Sequence, residues 1–412
     1  MTEPLRFGVL SHSLHRPDHS AALQLADEVA LAEHADQLGF DELWWTERHS
    51  GGWQVVSDPM LLAAHAAART QHIRLGAVMD PARRHPANLV DGAAQLDHLT
   101  RGRFLLGLSA DVSSVDAAAV GLVADAEPTI AETVEAVSHL LRGKRGLSVT
   151  PRHAPWVLRD HSPQLLPRAQ LDARAVSLGD SAGPELAGKF GLGLISTAAA
   201  ESTGLGRENP IALTWERAEA AARGRGRKIP RSRWSLVTRM HLAETEIEAR
   251  RQVRYGMARW AEYARTSLPG VVPAGSDSEA LVDGLHDAGL GVVGTPAMAV
   301  AHLERVLDLS EGAGTMLVEV AGWADRADTH ASLERFARQV VPHLTGSNRA
   351  RLAAAVTEVS EAAAGRPVGR RAAGRPAVPA PMATPVRGIS RIHADEAAAR
   401  RRGRHAVDPP AD

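Results

Sequence analysis

Three observations predict an α/β fold of the (β/α)8 TIM-barrel class. Eight apolar runs of strand length alternate strictly with longer stretches of helical period. Polar residues with reactive side chains gather just after these runs, where a parallel barrel places its chemistry. At 412 residues the chain has room for one large barrel and an appendage.

The elements follow in order. RFGVLSH (6–12) is the first strand, and the helix AALQLADEVALAEHADQLGF carries an apolar stripe through Leu23, Ala26, Val29, Ala30 and Leu38 until Gly39 stops it. DELWWTE is the second strand; an Asp58-Pro59 cap starts the helix that runs to Thr70. IRLGAVM is the third, with a helix from about Pro86 to just before Arg101-Gly102, and RFLLGLS is the fourth, with a helix from about Thr129 to Leu141. Residues 143–171 hold four prolines and break the rhythm, so they read as an insertion over the barrel mouth or side and as a source of pocket lining. Regularity resumes with ARAVSLG (173–179), a helix over 184–190, LGLIST, a helix over 211–223, and WSLVTRMHLA. One long helix is expected from Thr245 to about Arg265, then helical pieces near 277–287 and 296–309, the last strand TMLVEVAG, and a closing helix over 329–344.

Residues 1–346 form the predicted barrel and 347–412 an Arg/Ala/Pro-rich disordered tail. That tail, as in GRPVGRRAAGRPAVPAPMATPVRG, has few large apolar side chains to offset its ordering entropy. From Arg349 onward twelve Arg face six acidic residues, a net of +6, which leaves −7 for the rest of a chain whose total is −1. Nucleic acid is a weaker reading of these arginines than solvated disorder.

The chain has no cysteine, so disulfides, thiolate metal sites and thiol catalysis are excluded. His153 and His161 lack carboxylate or Cys partners at ligand spacing, so no metal is expected. No P-loop is present, and no GxGxxG opens a βαβ unit. MTEPLRFGVL runs straight into a strand and no run approaches 18 apolar residues, so no membrane association and a cytoplasmic location are expected. A homodimer or higher oligomer is also expected.

GFDELWWTERH, IRLGAVM, Arg84-His85-Pro86 and QLDHLTRGRFLLG together resemble the bacterial-luciferase-like monooxygenases, flavin- or deazaflavin-dependent TIM barrels. The likeness continues through GPELAGKFGLGLIS, WSLVTRMHLAETEIEARRQVRYGMARW, VVGTP and WADRADTHASLERFARQVVPHL, so it covers roughly the first 344 residues in the right order. It implies that reduced FMN, supplied by a separate flavin reductase, meets molecular oxygen at the strand ends to act on a small organic substrate. A deazaflavin-dependent hydride-transfer enzyme and a non-catalytic flavin-binding or protein-interaction barrel are the rival readings.

The resemblance also distributes roles. Glu47, Arg48 and His49 stand at the family's catalytic strand end, where Glu-His-His or Glu-Arg-His is usual; His49 suits proton transfer near neutrality. Arg48 replaces the first His and suits an anion on the flavin or substrate. The rival reading is a Glu–Arg ion pair tying two loops. Met79 and Asp80 fall where the family backs the flavin ring with an irregular, often cis, peptide, although Asp80 before Pro81 is also a turn-former. Ser109 opens a turn, SADVSSVD, whose Asp111 and Asp116 are unfavourable to a phosphate. Ser181 and Gly183 open a helix whose free N–H groups suit one; Lys189 sits too far along that helix to be assumed a ligand. His12, Trp53 and His85 are the substrate-facing candidates, with His85 alternatively a loop anchor.

Overall fold

The computed structural model describes residues 4–111, 113–122, 126–179, 181–198, 209–267 and 272–347. The expected disordered tail lies, from residue 348 on, outside the described residues. Eight parallel strands close a barrel: β1 (Arg6–Ser11), β2 (Glu42–Thr46), β3 (Arg74–Met79), β4 (Phe104–Ser109), β7 (Asp172–Ser177), β8 (Gly193–Thr197), β9 (Trp234–Leu242) and β11 (Thr315–Val320), which pairs back onto β1. Between β4 and β7 lies a small antiparallel hairpin, β5 (Leu147–Val149) and β6 (Leu158–His161). Strand β10 (Gly291–Gly294) adds a ninth member to the sheet. It pairs with β9 through Arg239–Leu242, and because Arg239 also faces Glu319 of β11, β10 occupies the β8 edge of β9 beyond the point where β8 ends.

The connecting helices are α1 (Ala21–Leu38), α2 (Pro59–Ala67), α3 (Pro86–Leu99), α4 (Ser114–Ala119), α5 (Ala126–Leu141), α6 (Gly183–Phe190) and α7 (Pro210–Arg223). After β9 come α8 (Glu246–Val253), α9 (Met257–Ser267), α10 (Ser278–Asp287) and α11 (Pro296–Ser310), and after β11 come α12 (Arg326–Arg335) and α13 (Val341–Thr345). The caps follow the sequence logic. Asp58 accepts from Met60 N at 3.0 Å with Pro59 at the first helical position, and Gly39 ends α1 at φ +80°. None of the described helices is long and apolar enough to cross a membrane.

Because the strands are covered on both faces, they read as continuous apolar runs rather than alternating ones. Inside the barrel sit Leu10, Trp44, Val78, Leu105, Val176, Ile195, Val237 and Leu317. Trp44 is fully buried, and its ladder partner on β3 is Gly76, where any Cβ would overlap the indole.

The N-terminal end of the barrel is closed by an ionic cluster. Fully buried Arg174 donates from Nη1 and Nη2 to the two Glu42 oxygens at 2.8 and 2.9 Å, from Nη2 to Asp172 at 2.7 Å and from Nη1 to Ser235 Oγ at 2.6 Å. Trp44 Nε1 donates to Glu42 at 2.9 Å, and Arg74 also pairs with Glu42. Burial works against the Glu42 and Asp172 charges, but the surrounding guanidinium groups hold both carboxyls below their ordinary range.

Three expectations need correction. The helix expected from Thr245 to Arg265 is two helices. At the break, Gly256 donates its N–H to Trp323 O at 2.8 Å, and a Cβ there would overlap the Gly322 carbonyl. Strand β10 and helix α4 were not anticipated; both are short and glycine- or alanine-rich, which weakens any periodic signal. The 143–171 insertion runs down the flank over α3 and α5 instead of lining a pocket at the mouth. Glu132 of α5 accepts from the backbone of Arg152, His153 and Ala154, and Trp156 Nε1 donates to Thr133 at 2.9 Å.

Candidate active site

At the C-terminal strand ends, His12 follows β1 and is 5% exposed. Its Nδ1 meets Thr46 Oγ1 at 3.1 Å and its Nε2 lies 3.4 Å from Glu319, which accepts from Arg239 Nε at 3.0 Å. Burial would raise the Glu319 pKa, but the Arg239 charge and the His12 contact outweigh it and hold the group at about 2. His12 is therefore a fixed part of the mouth floor.

Neighbouring residues on an extended segment point to opposite sides, and this separates Glu47 from Arg48. The Glu47 carboxylate accepts from Asp80 N at 2.9 Å, from His49 Nε2 at 2.6 Å and from Arg84 Nη2 at 3.0 Å. Arg84 reaches Asp58 as well, at 3.2 Å. A Glu–Arg tie between loops does form, but with Arg84 instead of Arg48. His49 Nδ1 has no partner among the described residues. Arg48 turns the other way and makes one long contact, 3.4 Å to Asp116 Oδ2; its Nε and Asp116 Oδ1 are buried without partners.

Met79 is fully buried behind these groups. Asp80 caps the following turn by accepting from Ala82 N at 2.9 Å; burial, reinforced by the Glu47 charge, pushes its pKa up to about 6. No described peptide bond is cis, the one between Met79 and Asp80 included.

The candidate anion site is partly filled by the protein itself. Asp111, whose pKa burial raises, accepts from Leu178 N at 2.6 Å and Gly179 N at 3.1 Å. Ser109 Oγ donates to Asp111 O at 3.3 Å, and Ser181 Oγ lies 2.8 Å from Ser177 Oγ. Gly183 begins α6, and a Cβ there would come 2.5 Å from that of Ser177, so only glycine lets the helix start this close to β7. Lys189, at the far end of α6, lies over Phe190. Residues 112, 180 and 199–208 lie outside the described residues.

Of the substrate-facing candidates, His12 and Trp53 wall cavities, whereas both ring nitrogens of His85 are engaged by backbone. His85 caps α3 through Ala87 N at 3.3 Å, and its Nε2 meets Val157 O of the insertion, also at 3.3 Å, which makes it an anchor. Between the strand ends lies a cavity of ≈ 30 Å³ bounded by His12, Arg48, Asp80, Asp111 and Asp116. Beside it, a chamber of ≈ 360 Å³ opens between the β1–α1 loop, α9 and the β11–α12 loop, with Trp53, Trp260 and Tyr263 among its walls.

Buried polar atoms without partners concentrate at this end: Ser13 Oγ, Arg48 Nε, Ser50 Oγ, both Gln54 amide atoms and Asp116 Oδ1. A buried group left in this way costs about 1–3 kcal/mol unless something completes it. The isoalloxazine edge carries both donors and acceptors, so this mixed set of donors and acceptors fits a flavin.

The family model described as luciferase-like monooxygenase matches residues 5–311. The chain belongs to that family. Limonene 1,2-monooxygenase of Rhodococcus erythropolis is 36% identical over 84% of this chain and 88% of its own length. The 4-hydroxyprotoasukamycin monooxygenase of Streptomyces nodosus subsp. asukaensis is 34% identical over 84% of this chain and 94% of its own. Among solved structures, the oxygenating constituent of 3,6-diketocamphane monooxygenase from Pseudomonas putida, in complex with FMN, superposes with a TM-score of 0.67 at 22% identity, over 82% of this chain and 98% of that one. The protein is thus a flavin-dependent monooxygenase of the luciferase-like family, on a TIM barrel.

This luciferase-like site also contains residues that sequence reading missed. Glu319, Arg239 and Tyr263 lie far from the GFDELWWTERH cluster in the chain. Only the Arg239–Glu319 ladder pairing and the docking of α9 bring them to the mouth. The one available signal was a pair of charges, Arg239 and Glu319, inside strands that the sheet buries.

Proposed function

We propose that the protein binds reduced FMN at the barrel mouth, delivered by a separate reductase, and uses molecular oxygen on a small, largely apolar organic substrate. The observation that carries this reading is the cluster of unpartnered buried donors and acceptors, led by Arg48 Nε, Asp116 Oδ1 and the Gln54 amide. These groups would hold the ring edge, with Met79, Asp80 and Ser109 behind it. Ser181, Gly183 and the start of α6 would take the phosphate, whose entry requires Asp111 to give up the Leu178 and Gly179 N–H groups. The cavity that Arg48 and Asp116 help to bound is only ≈ 30 Å³, so their 3.4 Å contact must part for the ring to enter.

When bound, the reduced flavin supplies the electrons that activate dioxygen. The chain controls protons and water. Glu47, held by Arg84 and Asp80 N, orients His49 through Nε2 and leaves Nδ1 to take or give a proton. Arg48 brings a permanent positive charge to stabilise an anion on ring or substrate. The substrate class is supported by the limonene-acting relative and by the aromatic walls of the adjoining chamber.

Anaerobic titration of the full chain with reduced FMN and with a reduced deazaflavin, followed by admission of oxygen, tests this. Tighter FMN binding and oxygen uptake are expected. Preference for the deazaflavin without oxygen uptake would overturn the FMN assignment, and binding of neither would overturn the cofactor site assigned to these groups.

A further inference from the structure

The ≈ 360 Å³ chamber contains a polar device that the flavin site does not use. Glu28 of α1 is 4% exposed and receives three hydrogen bonds: Ser11 Oγ and Trp45 Nε1 donate to Oε2, each at 2.9 Å, and His15 Nε2 meets Oε1 at 2.9 Å. In the neutral imidazole, a carboxylate oxygen accepting at this position places the ring N–H on Nε2. The opposite nitrogen, Nδ1, then carries a lone pair and has no partner among the described residues, on a ring that forms part of the chamber wall.

The surroundings give this acceptor a purpose. His15 N donates to Trp53 O at 2.8 Å and Leu14 bridges to Gln54, so the loops bearing His15 and Trp53 are locked together. Trp53 stands 6.1 Å from Tyr263 between ring centroids, and the Gly256–Trp323 hydrogen bond docks the start of α9 against the β11–α12 loop. The charges at the rim are largely answered, Arg16 by Asp18 at 2.6 Å and Arg326 by Asp27 at 2.6 Å. What remains is an aromatic-walled enclosure in which His15 Nδ1 is the oriented ring acceptor, beside Tyr263 Oη and Trp260 Nε1, which are buried without partners among the described residues. Satisfying Glu28 alone needed only a single donor; imidazole brings a second, chamber-side nitrogen.

We infer that His15, positioned by Glu28, is the specificity-determining contact of this chamber, and that its ligand is a small apolar molecule bearing one hydroxyl or N–H that donates to Nδ1. In calling that ligand the substrate, the inference rests on the monooxygenase reading; the binding event itself does not. A pocket of this volume suits a ligand of terpene-alcohol size.

Equilibrium dialysis of the full chain, without flavin, against carveol and against limonene tests it. His15→Phe removes the acceptor but keeps the ring volume. It should weaken carveol about tenfold, the upper range for a neutral hydrogen bond, and leave limonene within about twofold. Should His15→Phe fail to fold, His15→Lys keeps a donor for Glu28 while offering no acceptor, and should show the same selective loss. Thr329→Trp, which fills the chamber, should weaken both ligands. Equal losses for the two ligands in the His15 variants, or no loss, would overturn the inference, as would unchanged binding in Thr329→Trp. Reduced FMN titrated into the same variants should bind as in wild type. If no variant or wild type took FMN while the carveol selectivity persisted, the cofactor reading would fall and His15 would stand.

Discussion

At the N-terminal end of the barrel, every charge in the buried cluster is answered. Arg174 meets Glu42, Asp172 and Ser235, and Glu42 is further held by Arg74 and Trp44. At the C-terminal end, the buried atoms Ser13 Oγ, Arg48 Nε, both of the Gln54 amide and Asp116 Oδ1 are left unanswered among the described residues. Both ends belong to the same eight strands, so the contrast does not come from fold or burial. One end completes its electrostatics with its own residues, which favours a single closed arrangement. The other leaves its electrostatics for an incoming molecule to complete, at a cost of about 1–3 kcal/mol per orphaned group while it waits. Stability and function are thus divided between the two rims.

The largest effect should come from breaking the satisfied end. Arg174→Met strands Glu42 without its main partner, and urea denaturation should report a loss of roughly 3–5 kcal/mol, with the folded fraction still binding flavin. A loss under about 1 kcal/mol would show that the cluster is not what secures that rim. His49→Ala acts on the open end. Turnover should fall by about 100-fold, equivalent to about 2.7 kcal/mol of barrier, while the urea midpoint stays close to wild type. If the activity loss instead tracked a loss of stability, His49 would be serving Glu47 structurally.

Gln54→Leu sharpens the comparison from the opposite direction. Replacing an unanswered amide by an apolar side chain should raise stability by about 1 kcal/mol and weaken reduced-FMN binding, measured by calorimetry and titration. A destabilised variant would mean that the amide is already satisfied. Asp80 is read in the pH profile of stability instead of at a single pH. Its folded pKa of about 6 exceeds the unfolded value of about 3.9, so the folded state keeps a proton that the unfolded state loses. Its contribution is therefore complete below about pH 4 and lost as pH rises to about 6. Asp80→Asn should flatten the stability profile across that window, and an unchanged slope would mean that Asp80 titrates as an ordinary surface carboxylate.

Much of this was legible in the chain. Strands buried on both faces advertise themselves as runs such as DELWW and IRLGAVM, and the Asp58-Pro59 cap and the Gly39 stop mark helix ends through local geometry alone. The placement of Glu47, Arg48 and His49 beyond a strand end was legible too, because strand ends concentrate polar residues. The pairing among them was not. Whether Glu47 reaches Arg48 or Arg84 depends on which side of the backbone each faces, and adjacency in sequence points to the wrong partner. His85 looks identical in sequence whether it faces a pocket or caps a helix. Contacts such as His12–Glu319 join opposite ends of the barrel sequence and exist only once the sheet has closed. The ring nitrogen freed by the Glu28–His15 contact was likewise invisible, since nothing in SLHRPDHS announces its direction.

The indole of Trp44 and the missing side chain of Gly76 face each other across one rung of the barrel. That arrangement restricts the order in which descendants of this sequence can change. Position 44 can shrink first, leaving a hole that costs stability yet is survivable, and position 76 can then enlarge to fill it. The reverse order drives a side chain into an occupied ring and is closed to selection. In an alignment of related barrels, a side chain at the position of Gly76 should occur only with something smaller than tryptophan at the position of Trp44, so the two columns record a shared history with a fixed direction.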